Sequence, residues 1–406
     1  MTRNNKRTLI LPGLMAVMTL TACQANSSTT GATSSQSNQA LVVNQTSNTS
    51  YFSDRDLDAS YDAATASTIK LNGSSATVAG NGVSVAGSVV KISQAGTYVI
   101  SGKSEGVQIL VEAADSDKVQ LVLNGVTMTG TDALIAVTSA DKVFVTLAEG
   151  SQNHLADSAN RTATDFSAAI YSKKDLTLNG TGSLTVQGNY NNAIKSNDDL
   201  KITGGTYTVT AAKHALSAND ALNITGSTLN LTATEDAIHS DNDEDTTMGN
   251  LYLADSTVTI KAGDDAIHAS NNLVIDSGDI TIETSTEGIE GKVVTINGGT
   301  ITVNATDDGI NATDWTKSSD SMTAMEGVNL TINGGDLTIN MAQGDTDAID
   351  SNGDVAVTGG NITISGPSAI DFDGTATYTG GTIIHNGQTM TDIVANGPGG
   401  GGMPRR

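Results

Sequence analysis

Five short phrases in the second half of the chain set carboxylates at a fixed distance from an aliphatic residue. They read Glu235-Asp236-Ala237-Ile238-His239, Asp264-Asp265-Ala266-Ile267-His268, Thr286-Glu287-Gly288-Ile289-Glu290, Asp307-Asp308-Gly309-Ile310-Asn311 and Thr346-Asp347-Ala348-Ile349-Asp350. An acid stands two places before each isoleucine, and a small residue stands just before it. If these phrases stack, Asp236, Asp265, Glu287, Asp308 and Asp347 form one column. Glu290, Asn311, Asp350 and Asp371 form another, three residues on. Carboxylates about 5 Å apart repel by roughly 3 kcal/mol per pair at an effective dielectric near 20. Such a ladder raises its pKa values, splays into solvent or binds cations. Ca²⁺ takes six to eight oxygens at about 2.4 Å. Two carboxylate columns and Gly-rich backbone carbonyls supply that donor set, whereas Zn²⁺ asks for His or Cys. The expected ligands, for several Ca²⁺ ions, are Asp236, Asp264, Asp265, Glu287, Glu290, Asp307, Asp308, Asp347, Asp350 and Asp371. An acidic face kept for solubility would not need one register across successive units.

The elements that position these acids follow from spacing. The anchors Ile170, Ile194, Leu216, Ile238, Ile267, Ile289, Ile310, Ile349 and Ile370 recur at intervals of 24, 22, 22, 29, 22, 21, 39 and 21 residues. Each unit carries three short apolar runs. One surrounds the anchor, the second resembles Leu222-Asn223-Ile224, and the third resembles Thr300-Ile301-Thr302-Val303 after a Gly-Gly turn. Three period-two strands separated by turns fit one coil of a solenoid. The fold class is all-β: a right-handed, three-sided parallel β-helix of about a dozen coils, its hand set by the crossover preference. Aromatics make up only 3% of the chain, so the core is built of small and β-branched layers.

Composition narrows the partners. The chain carries a net charge of −24. Residues 231–380 hold 26 Asp+Glu against Lys261, Lys292 and Lys317, which gives 3 − 26 = −23. Nucleic acid is excluded as a partner, because nothing there neutralises phosphates. Cations, or substrates bridged through cations, are favoured.

Other residues invite chemistry less directly. His239 and His268 fall one coil apart and read as a polar ladder at a turn. The insertion Asp241-Asn242-Asp243-Glu244-Asp245 echoes the start of an EF-hand loop but lacks its Gly and late Glu. It stands as a source of extra calcium oxygens. The insertion from Thr313 to Gly327 holds Trp315, the only tryptophan, which either stacks on a sugar ring or covers the side of the helix. Both insertions fall at the turn after the first strand, and loops at one turn of a solenoid often line its binding edge.

The chain begins with Arg3, Lys6 and Arg7, an apolar run from Leu9 to Leu20, and then Leu20-Thr21-Ala22-Cys23. That run is too short for a convincing membrane span. The arrangement resembles a bacterial lipobox, which implies a signal peptide over 1–22 and lipidation of Cys23. The protein is then exported and lipid-anchored to the cell envelope, at an outer membrane or the cell surface. Residues 23–60 are rich in Ser, Thr, Asn and Gln and read as a flexible tether. The β-helix is expected over 61–390, with an N-terminal cap and first coils at 61–100, and a disordered Gly-rich tail over 391–406.

The segment Gly96-Thr97-Tyr98-Val99-Ile100-Ser101-Gly102, the run from Leu147 to Leu155, and the Asp-Ala-Ile coils together resemble the bacterial carbohydrate-binding-domain β-helix family. That family is similar in shape to family-9 polysaccharide lyases. The resemblance implies a surface-exposed, calcium-binding protein that binds plant-type or acidic polysaccharide without a clear catalytic role. The acidic columns match the family's calcium-binding turns, while Trp315 has no assured counterpart. The resulting expectation is a non-catalytic lipoprotein that binds polysaccharide through a Ca²⁺-loaded acidic ladder. Two alternatives stay open. A Ca²⁺-dependent lyase acting on a polyuronate needs a base such as Lys195, Lys213 or Lys292. An adhesin or structural surface rod needs no glycan.

Overall fold

The computed structural model describes residues 51–161, 165–317, 323–344 and 346–394. Cys23, the expected signal peptide, the tether up to residue 50 and the tail from 395 onward lie outside them. The chain divides into Met1–Gln45 and Thr46–Arg406, and every described residue belongs to the second unit.

The protein is all-β. Among the described residues the only α-helix is Asp54–Leu57. The strands join into a single sheet whose pairings are predominantly parallel. Within the regular part, each strand pairs with the third strand after it, so the repeat builds three ladders.

The first ladder runs through the anchors. Ile170, Ile194, Leu216, Ile238, Ile267, Ile289, Ile310, Ile349 and Ile370 pair in direct register, one to the next. The second carries Leu176, Leu200, Leu222, Leu251, Leu273, Val294, Leu330 and Val355. The third carries Leu184, Tyr207, Leu229, Val258, Ile280, Ile301, Leu337, Ile362 and Ile383. All these residues are buried in one continuous core. Fully burying each such side chain contributes about 1.5–3 kcal/mol. Third-ladder strands such as Thr206–Ala211 and Thr228–Ala233 alternate strictly between exposed and buried positions, as a sheet with one wet face requires. Antiparallel hairpin strands cover the ends: Ser75–Ala79 and Val83–Ala86 at the start, Gln388–Met390 at the finish. They keep the terminal parallel strands from presenting an open edge.

The position before each anchor is alanine or glycine because it faces a crowded interior. At Gly309 an added Cβ would lie 2.5 Å from both the Ala348 carbonyl oxygen and Ile339 Cγ2.

One expectation needs correction. Residues 51–58 are not tether. Ser53 caps the short helix through a capping box with Asp56. Asp56 is fully buried on the outer face of the second ladder. Its carboxylate lies 2.7 Å from Lys142 Nζ and accepts from the Thr177 hydroxyl at 2.7 Å. Tyr51 stacks on Tyr252 at 3.7 Å, and Phe52 packs edge-on against the same ring. The segment is polar in composition, yet it supplies the counter-charge and the rings that close this face.

Candidate metal centre

Register in the first ladder decides which acids meet. Backbone bonds fix the position two before each anchor: the amides of Ala215, Ala237, Ala266, Gly288 and Gly309 donate to the carbonyls of Asp236, Asp265, Glu287, Asp308 and Asp347 in the following unit. The column therefore reads Asn192, His214, Asp236, Asp265, Glu287, Asp308, Asp347. The position one after each anchor gives the facing column, Lys195, Ser217, His239, His268, Glu290, Asn311 and Asp350.

Side chains of the first column have a structural task that spacing alone does not reveal. Asn192 Oδ1 accepts from the His214 amide at 3.2 Å, and His214 Nδ1 from the Asp236 amide at 3.3 Å. Asp236 Oδ1 accepts from the Asp265 amide at 3.1 Å, and Asp308 Oδ1 from the Asp347 amide at 3.2 Å. Any side-chain acceptor of the right length serves there. That is why Asn and His continue the column.

The two columns meet in a graded series of pairs. At the histidine end, His239 Nδ1 lies 2.6 Å and His214 Nδ1 3.4 Å from Asp236 Oδ2. The rings of His214 and His239 stack at 4.0 Å with a 7° interplanar angle, and His268 continues the stack 5.1 Å from His239. Burial, then the neighbouring His239, hold His214 down at about 3, so its imidazole is neutral. In the next unit His268 Nδ1 lies 2.9 Å from Glu290 Oε1 and 3.1 Å from Asp265 Oδ2. Burial opposes charging of His268, but its two carboxylate hydrogen bonds outweigh that and raise it well above the usual histidine range.

Further along, the columns hold oxygen donors only. Glu287 and Glu290 face each other, and the Asn311 amide donates to both, at 3.0 and 3.3 Å. Burial, then the charge of Glu290, push Glu287 far up, while the contact with His268 overcomes burial and holds Glu290 down. Burial raises Asp308 to about 7, helped by the charges of Asp307 and Asp347. Burial raises Asp350 to about 8, helped by Asp308, Asp347 and Asp371. Among the described residues, Asn311 Oδ1 and Asp347 Oδ1 are buried here and find no hydrogen-bond donor. A divalent ion would satisfy such acceptors, and the donor chemistry fits Ca²⁺.

Not every expected ligand joins. Asp264 and Asp307 are exposed and lie outside the columns. Asp371 is half-buried and continues past Asp350, its amide bonded to the Ile349 carbonyl. Trp315 is 43% exposed on its insertion, beside a buried Asp314 that holds Lys292 and Lys317. Residues 318–322 of that insertion lie outside the described set.

His214 is the site residue that the spacing argument passed over, although it stands two places before Leu216 like every other member. A second feature was also missed. An open cleft of about 790 Å³ lies at the histidine end of the facing column, where Lys195 and His239 line it with Lys173 and Lys174, and Asp241, Asp243 and Glu244 stand opposite in sign. The EF-hand-like insertion thus forms part of a cleft wall. Its Asn242 Oδ1 is occupied by the amides of Glu244 and Asp245. Of the three lysines weighed as bases, Lys213 pairs with Glu235 and Lys292 with Asp314. Lys195 donates to Asn219 Oδ1 at 2.8 Å, and burial, then Lys213, pull it below the ordinary lysine range.

Comparison with known proteins adds three findings. The family described as carbohydrate-binding domain-containing protein matches residues 86–317 and 294–374. A carbohydrate-binding domain-containing protein of Acetivibrio thermocellus is 43% identical over 137 residues, covering 32% of this chain and 48% of the relative. The chain therefore spans about half the length of that relative. A solved structure of a polysaccharide lyase-like protein from C. thermocellum, a gadolinium derivative, is 26% identical, with a TM-score of 0.46 over 78% of this chain and 99% of the other.

Proposed function

The chain belongs to the family of carbohydrate-binding domain-containing proteins, and from that premise we propose that it binds polysaccharide without cleaving it. We read the three ladders as the faces of a right-handed, three-sided parallel β-helix. Ca²⁺ is held along its oxygen-only columns by Glu287, Glu290, Asp308, Asn311, Asp347 and Asp350. The observation that carries the calcium reading is the pair of buried, unsatisfied acceptors, Asn311 Oδ1 and Asp347 Oδ1, set among acids that burial has pushed up. Bound ions along the columns favour the ionised acids and supply the partner that such oxygens lack.

The glycan seat is the mixed-charge cleft at the histidine end of the facing column, lined by Lys195 and His239 and continuing along the same edge towards the oxygen-only units. Its volume falls in the usual range for ligand sites, roughly 300–1,000 Å³. Lysines there suit sugar carboxylates, and the acids and amides suit hydroxyls. A chain of net charge −24 repels a polyanion, so retention of a polyuronate requires calcium. Cys23 carries a lipid that holds the exported protein to the cell envelope; labelled fatty acid should enter the wild-type protein and not Cys23→Ser.

The test is retention on a polyuronate and on a neutral polysaccharide, each with Ca²⁺ and with chelator. Polyuronate retention that chelation abolishes supports the proposal. No retention of either glycan, with folding still stabilised by calcium, assigns the protein to a structural role. Release of unsaturated uronate products makes it a lyase.

A further inference from the structure

We propose that His214, Asp236 and His239 form a second and chemically distinct metal centre, selective for a Zn²⁺-class transition ion over Ca²⁺, at the edge of the cleft. It goes beyond the glycan-binding reading and does not depend on it.

The donor set is two imidazoles and one carboxylate, with one ligand atom from each lying within 4.8 Å of the others. A tetrahedral ion with bonds of about 2.0–2.1 Å separates its donors by roughly 3.3 Å. His214 Nδ1 is already 3.4 Å from Asp236 Oδ2; His239 Nδ1 must move out from 2.6 Å, and the two rings, now stacked at 7°, must tilt so that both lone pairs meet at one ion. Asp236 is fixed for the task. Its Oδ1 is held by the Asp265 amide, which leaves Oδ2 turned to both rings. His214 is held through its amide, which donates to Asn192 Oδ1, and Glu235 Oε2 stands 3.6 Å from its Nε2, a short side-chain movement from a hydrogen bond. A carboxylate behind the second ring nitrogen is the usual device for orienting a metal-binding histidine.

The alternative, a purely hydrogen-bonded ladder, accounts well for the next unit. There His268 is saturated by Asp265 and Glu290 at 3.1 and 2.9 Å. It leaves one thing over at His214, whose Nδ1 takes the Asp236 amide at 3.3 Å like the rest of the column and yet also faces, at 3.4 Å, the same carboxylate oxygen as His239. Three protein donors leave a fourth position of a tetrahedral ion open. His239 also lines the cleft, so water or a sugar oxygen arriving there is the natural fourth ligand. Ca²⁺ asks for six to eight oxygens and gains little from two nitrogens.

The experiment uses the full chain. Zn²⁺ is titrated by calorimetry in the presence of excess Ca²⁺, and Co²⁺ is substituted to read coordination from its visible spectrum. We expect one equivalent of Zn²⁺ to be retained against Ca²⁺, with the intense bands of four-coordinate Co²⁺. His239→Gln and His214→Gln should each weaken Zn²⁺ at least ten-fold while Asp350→Asn leaves it unchanged. Displacement of Zn²⁺ by Ca²⁺, or Zn²⁺ affinity lost in Asp350→Asn but kept in His239→Gln, overturns the proposal. Should the histidine variants fail to fold, the wild-type Co²⁺ spectrum decides, since a weak six-coordinate spectrum overturns it equally.

Discussion

Asp308 and Asp350 show what burial does to a carboxylate ladder. Their folded-state values of about 7 and about 8 lie above the ordinary 3.8, so the folded protein binds more protons than the unfolded chain between those limits. Stability contributed by these groups is present below about pH 4 and is lost as pH rises towards 8. We expect the metal-free protein to show a falling thermal midpoint from about pH 4 to about pH 8, and saturating Ca²⁺ to flatten that slope. A fall that persists unchanged with Ca²⁺ would remove the columns as the cation seat. Asp350→Asn should stabilise the metal-free protein at pH 8 by roughly 1–3 kcal/mol, because one repelling charge disappears. The same variant should lose much of the calcium response, and denaturant titration with and without Ca²⁺ reads both effects.

Between elements, the contacts that matter most join distant parts of the chain. The 51–58 segment lies on the second ladder through Asp56, with Lys142 and Thr177 as partners and Lys201 3.9 Å away. Burial would raise the Asp56 carboxyl, but hydrogen bonds from Lys142 and Thr177 outweigh it and hold it well below the usual range. Its contribution is therefore present above about pH 4 and lost below. Asp56→Ala strands a buried lysine, and breaking a buried pair costs about 3–5 kcal/mol. We expect that loss in urea unfolding, together with protease cleavage near Arg55 that the wild type resists. A different limit operates in the first ladder. Gly309→Ala should cost about 1–3 kcal/mol through overpacking against Ile339 and the Ala348 carbonyl. Wild-type stability in that variant would mean the two strands separate more easily than their register implies.

For the whole molecule, the charge is lopsided: nearly all of the −24 lies within 231–380. Exposed acids such as Asp264 and Asp307 and buried acids such as Asp265 and Glu290 answer differently to salt. The Debye length falls to about 3 Å at 1 M ionic strength, which screens the exposed acids far more than the buried ones. Concentrated NaCl should therefore recover only part of the stability that Ca²⁺ provides, and none of the polyuronate retention. Calcium at 100 times its dissociation constant adds about 2.7 kcal/mol per site. Thermal melts across both salts separate these contributions. Equal rescue by NaCl and Ca²⁺ would reduce the columns to a solvated acidic face.

The sequence by itself determined the strand pattern and its register. The nine anchors, from Ile170 to Ile370, pair one to the next because a period-two apolar pattern and a repeat near 22 residues are local properties that leave few other pairings. It also placed Asp236, Asp265, Glu287, Asp308 and Asp347 in one column. Only the tertiary structure decided which acids are buried, since Asp264 and Asp307 sit one residue away from column members and yet face solvent. It alone brought His214 against His239, and Asp56 against Lys142. Those contacts depend on the turn geometry between units and on a segment whose polar composition gave no local sign of docking. Charge and burial are set by what lies across the sheet in space, and spacing along the chain records only the part of that arrangement that repeats.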